Sequence, residues 1–102
     1  MITWAFIFLS DDGGPGEHYT ELRHDGNRLL VYGVNTVERG IALANRAIDE
    51  EGCSLIELCG GFGQEGARRV IEGTGGRAAV GQIEYLPGES EKFKAHKASL
   101  GL

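Results

Sequence analysis

Lysine is nearly missing from this sequence until its last stretch, where Lys92, Lys94 and Lys97 are the only ones. A Schiff-base lysine inside a folded body is therefore excluded, and so is a phosphate-binding loop of the G-x-x-x-x-G-K type. The motifs G-x-S-x-G and H-E-x-x-H are also missing, which removes the commonest serine-hydrolase and zinc-protease signatures. Long apolar runs are scarce too. The run from Ile2 to Leu9 spans eight residues, has no basic segment before it and is followed by Asp11 and Asp12, so it reads as neither a signal peptide nor a membrane span. Cysteine is limited to Cys53 and Cys59. These residues should flank one strand, beyond disulfide reach of each other, and a reducing, cytoplasmic setting is expected.

Positive charge is in the minority. The net charge is −5, and basic residues gather only in the tail. This argues against nucleic acid or an anionic membrane as a partner. Asp11, Asp12, His18 and His24 include metal-ligand types, but their spacing matches no known cage, so no metal and no cofactor are expected. At 102 residues the chain makes one domain. We place that domain at residues 1–88 and treat 89–102 as a tail or short helix.

Glycine is what the chain has in abundance, 17 residues in all, and the sequence is organised around one cluster of them. Ser54 to Cys59 reads as an apolar strand. Gly60, Gly61 and Gly63 then turn the chain into a helix from Gln64 to Glu72, with Ala67, Val70 and Ile71 on one face. The first amides of that helix lack intrahelical partners and can donate to a phosphate or carboxylate. Gly61, Gly63 and Gly66 also satisfy G-x-G-x-x-G, with Glu84 near the spacing of a ribose-binding acid. Two features weigh against a dinucleotide. The chain is too short for a complete two-half fold, and Glu65 sits where the pyrophosphate would go.

The remaining elements follow from periodicity and turn chemistry. Ile2–Leu9 is apolar on both alternating sets and predicts a central strand. Ser10–Gly16 strings turn formers into the longest irregular loop. Asp25-Gly26 joins two strand-like runs into a β-hairpin whose first arm is a polar edge. Asn35 as N-cap, with Glu38 behind it, opens a helix carrying Val37, Ile41, Ala44 and Ile48, and Gly52 ends it. Ala78–Tyr85 is the last strand. Glu89–Leu100 reads as either a short terminal helix or an irregular tail. The fold class is α/β, an α+β mixed sheet of about five strands in the order β-β-β-α-β-α-β, with both main helices on one face.

Alternation within the strands groups Glu57, Gln82 and Glu84 on the uncovered face, with Arg28 or Tyr32 as partners. A carboxylate there is costly to bury unpaired, which favours a homo-oligomer whose facing sheets enclose a polar lumen. Ligands of such sheets bind beyond the carboxyl ends of parallel strands. The expected ligand-binding residues are Asp11, Asp12, Asn35, Gly60, Gly61, Phe62, Gly63, Gln64 and Tyr85. Three functions follow from this reading. The first is an oligomeric module binding a small anionic metabolite at residues 60–64. The second is a small isomerase or lyase with Glu57 or Glu84 as base and Cys59 or Tyr85 as acid. The third is an assembly subunit in which the glycines are only structural.

Trp4–Phe8 (WAFIF), the turn at Gly33–Thr36, and Ile56–Gly63 (IELCGGFG) followed by Glu65-Gly66-Ala67 together resemble a family of small bacterial proteins of unknown function, over roughly residues 2–88. The resemblance implies a bacterial, cytoplasmic protein and brings no assigned catalytic residues. It also implies a proline where Gln64 stands, at a first helical position.

Overall fold

Strand β1 (Thr3–Leu9) carries seven residues rich in aromatic and β-branched side chains, and it takes the middle of the sheet. The structure, a computed structural model, describes residues 1–10 and 17–101. The expected loop therefore lies mostly outside the described residues, and so do Asp11 and Asp12. Strands β2 (Glu17–His24) and β3 (Asn27–Val34) form the hairpin predicted at Asp25-Gly26. Both turn residues have positive φ, 49° and 81°, the left-handed backbone that a two-residue hairpin turn requires.

Helix α1 (Val37–Glu51) leads to β4 (Leu55–Leu58), a single 3-10 turn (Gly60–Phe62), α2 (Gly63–Thr74), β5 (Ala79–Gln82) and α3 (Glu89–Ser99). The sheet is mixed, in the order β2-β3-β1-β4-β5, with only β2–β3 antiparallel. Ala5, Ile7, Leu30, Tyr32, Val34, Ile56 and Leu58 point from the sheet into one core with Leu43, Ala44, Ala47, Ala67 and Val70 of α1 and α2. Both helices thus cover the same face. Right-handed crossovers stepping β3→β4→β5 in one direction across the sheet require this.

Three details differ from the sequence reading. The N-cap of α1 is Thr36, whose hydroxyl accepts from the Arg39 N–H at 3.1 Å. Asn35 and Thr36 are both capping residue types, and the threonine, with extended backbone, is the one that caps. Strand β5 stops at Gln82. The phase of β5 is also the reverse of that expected. Its register pairs Val80 with Ile56 and Gln82 with Leu58, so Val80 and Gln82 lie on the helix side.

The Glu57, Gln82, Glu84 grouping is therefore wrong. Glu57 is on the uncovered face, whereas Glu84 accepts from Gln64 at the start of α2, 3.1 Å away. Arg28 does not reach Glu57 either. It binds Glu21 and Glu51 on the helix side, at 2.8 and 2.9 Å. Tyr32 is buried in the core. The face without helices is also not polar. Trp4, Phe6 and Phe8 of β1 stand there beside Leu29 and Val31 of β3, Leu22 of β2 and Leu55 of β4. Among the described residues, Glu57 is the one carboxylate that the strands turn to this face.

Helix α3 forms, with no buried residue. Its Phe93 ring packs on that of Tyr85, with centroids 4.6 Å apart. Among the described residues, no helix is long and apolar enough to cross a membrane.

Candidate functional site

Because β1, β3, β4 and β5 are parallel, their carboxyl ends share one rim. Ser10 donates its N–H to Val34 at 2.8 Å, and Cys59 donates to Ile7 at 3.0 Å. The end of β1 is thereby fixed between the Asn35 turn and the glycine turn. Ile83 donates to Leu58 at 2.9 Å and brings the end of β5 alongside. Of the predicted ligand-binding residues, the structure brings Asn35, Gly60, Gly61, Gly63 and Gln64 to this rim. Tyr85 is drawn away into its stacking with Phe93.

Phe62 turns inward instead. It is buried, and its ring sits against Gly40 of α1 and Gly66 of α2, where an added Cβ would lie 3.0 and 3.2 Å from its atoms. Two glycines in facing helices thus make room for one ring, which pins the turn to the core. Gly63 has φ 64° and ψ 178°, backbone that essentially only glycine adopts. The third glycine of G-x-G-x-x-G therefore packs a phenylalanine, a role the motif alone does not reveal.

Cys59 caps the 3-10 turn, and its Sγ accepts the Leu9 N–H at 3.2 Å. It is partly exposed and unoxidised, as is the buried Cys53. The Cβ that Gly61 lacks would lie 3.4 Å from both that sulfur and the Leu9 carbonyl, whereas Gly63 has open space around it. On the far side of β1, the Asn35 Oδ1 is buried and has no hydrogen-bond partner among the described residues. Such an orphan costs about 1–3 kcal/mol unless something donates to it.

Charges around the rim come already matched. Arg68 pairs with Glu65 at 3.3 Å, Arg69 with Glu38 and Arg39 with Glu17 at 3.2 Å, so the cations are taken, while Glu84 accepts from the neutral Gln64. The donors left for an anion are main-chain amides at the start of α2. Glu57 lies on the uncovered face and Glu84 beside Gln64 at the start of α2, so a single lumen cannot hold both.

Two depressions lie elsewhere. One of about 240 Å³ on the uncovered face is lined by Phe8, His18, Tyr19, Thr20, Val31 and Gly33. The other, about 110 Å³, lies between β2 and α1 and includes Glu17, Arg39 and Arg46. The first is mostly apolar and went unnoticed in the sequence, because it depends on Phe8 and Gly33 becoming neighbours across a parallel pair.

No curated protein matches the chain in sequence. A family model does match, over residues 2–98, and so runs through most of α3, beyond the stretch that carried the resemblance. With nearly the whole chain covered, the protein belongs to the family of unknown function DUF6506.

Proposed function

We propose that this chain is a cytoplasmic, homo-oligomeric binding protein that holds a small anionic metabolite on the rim between Asn35 and the glycine turn at 60–64. The observation that carries the reading is the convergence of four parallel strand ends on a glycine turn that opens a helix. Open sheets present ligands in this position, and helix amides favour negative charge there. The Asn35 Oδ1 on the same rim, buried and without a partner among the described residues, supports a ligand that also carries a hydroxyl or amine.

Matched cations and the nearby Glu65 and Glu84 disfavour a pyrophosphate. A single carboxylate or monoester, which can be held by amides alone, is the better fit. This places dinucleotides behind hydroxy acids and small phosphate esters.

The test is a thermal-shift screen with phosphate, sugar phosphates, small hydroxy acids, nucleotides and dinucleotides. A ligand at a hundredfold excess over Kd adds about 2.7 kcal/mol. The expected result is a selective shift lost in both Gly61→Val and Asn35→Ala. No shift with any class, or a shift that both variants retain, overturns the reading and leaves an assembly role in which the glycines serve packing.

A further inference from the structure

The uncovered sheet face is the most conspicuous unused surface of the molecule. Five strands at ~4.8 Å spacing and about six residues at ~3.3 Å rise give it a plan area of roughly 500 Å². That is the size at which an apolar patch on a monomer is usually functional. Phe8 is 36% exposed and Leu22 59%, and no described helix lies over them.

We infer that this face is the interface of a two-fold dimer of this chain, sheet against sheet, with the axis running along the strands between β1 and β3. The inference gives the proposed homo-oligomer its interface and rests on that part of the reading alone, independent of any rim ligand. Area supports it. The axis overlaps four of the five strands, so two copies bury roughly 800 Å² in plan, a figure that side-chain relief raises toward the roughly 1,000 Å² of a specific interface.

Pattern fixes the axis. The apolar residues form columns on β2 (Leu22), β3 (Leu29, Val31), β1 (Trp4, Phe6, Phe8) and β4 (Leu55), while β5 offers only Ala79 and Gly81. The midline of this patch runs between β3 and β1. Rotation about that midline lays β1 over the partner's β3 and β4 over the partner's β2.

Charge then decides among the alternatives. Glu57 shares a row with Phe6, Val31 and Thr20. The midline axis therefore sets Glu57 opposite Thr20 of the second copy, one row from His18. An axis across the strands, with Phe6 facing its own copy, would press Glu57 against Glu57 and bury two like charges. An axis along β1 would face it with Val31 and leave it unpaired. Only the midline arrangement gives the carboxylate a hydroxyl and an imidazole as neighbours. The 240 Å³ depression at Phe8, His18, Thr20 and Gly33 lies on the same face and is open to receive side chains of the second copy. Sheets paired in this way sit about 10 Å apart and cross at about 30°.

The experiment is sedimentation equilibrium of the intact chain across a concentration series. The wild type is expected to be a dimer. Thr20→Glu, an exposed edge position tolerant of charge, should weaken it about tenfold or more by meeting Glu57. Adding Glu57→Lys should restore the dimer, while circular dichroism shows all three proteins folded. A wild type that stays monomeric overturns the inference. A Thr20→Glu protein that dimerises unchanged, or a double variant that stays as weak as Thr20→Glu, overturns the axis and with it the proposed interface. Thermal shifts from rim ligands should be the same in all three proteins, so the two proposals can fail separately.

Discussion

Replacing Gly40 by alanine should destabilise the protein in one background and stabilise it in another. In the native chain the new Cβ would stand 3.0 Å from two atoms of the Phe62 ring. That ring is only 5% exposed and is backed by Gly66, so it cannot swing clear. Overpacking of this kind costs about 1–3 kcal/mol. Against it stands the helix-propensity gain of alanine over glycine, about 1 kcal/mol. The net expectation is a loss of up to about 2 kcal/mol.

Phe62→Ala alone should cost about 3–5 kcal/mol by leaving a cavity between the helices. That is survivable for a domain with about 5–15 kcal/mol in hand. Once the ring is gone, Gly40→Ala meets no obstacle and should return close to 1 kcal/mol. Urea unfolding followed by far-UV circular dichroism, with all four members of the cycle at one pH, measures the coupling. If Gly40→Ala has the same sign and size with and without Phe62, the ring is not what requires glycine at position 40, and the account of how the turn is pinned fails.

The remaining predictions concern charge and the tail. Arg28 and then Arg23 hold the Glu21 carboxyl below its ordinary value of 4.5, and Arg69 does the same for Glu38. Lowered acid pKa values give stability that is present above pH 4.5 and lost as pH falls through the folded values, so an acid series of melting temperatures should decline from there downward. At the other end, burial raises the Cys53 thiol above 9.0 and pushes Tyr32 up to about 12. Their contribution is intact below the unfolded values and should be lost as pH rises from about 9 toward 12. A flat alkaline profile would contradict it. Ending the chain after Gly88 should cost no more than about 0.5–1.5 kcal/mol, the worth of one aromatic pair, since α3 buries nothing. A larger fall in melting temperature would show that the body extends into α3.

Much of the architecture could be read from local chemistry. Asp25-Gly26 specified the hairpin turn, Gly52 the end of α1, and the two-sided apolarity of Ile2–Leu9 the central position of β1. Each of these signals acts within a few residues. What could not be read depends on partners far apart in sequence. The phase of β5 was misjudged because alternation put Gln82 and Glu84 outward with Glu57, whereas the pairing with β4 puts Val80 and Gln82 inward. Asn35 and Thr36 are equivalent as capping residues in sequence, and only the folded chain shows that the threonine hydroxyl accepts the Arg39 N–H. At the site, the glycine turn was visible, but not that Phe62 would leave it for the core, since Gly40 lies 22 residues earlier in the sequence. The apolar nature of the uncovered face was legible in β1 alone and was masked by giving Glu57 too much weight.

The central placement of β1 also bears on how the chain is made. Its neighbours in the sheet are Arg28–Val34 and Leu55–Leu58, so β1 leaves the ribosome ahead of both partners and keeps one flank open until β4 emerges. At about 5–20 residues per second, several seconds separate the emergence of ITWAFIFL from that of its second partner. During that interval an aromatic, uncharged strand with at least one open edge is available to other nascent chains. Mutations that slow the arrival of β4, or weaken its pairing, should therefore appear first as insoluble protein rather than as a lower melting temperature in the fraction that folds.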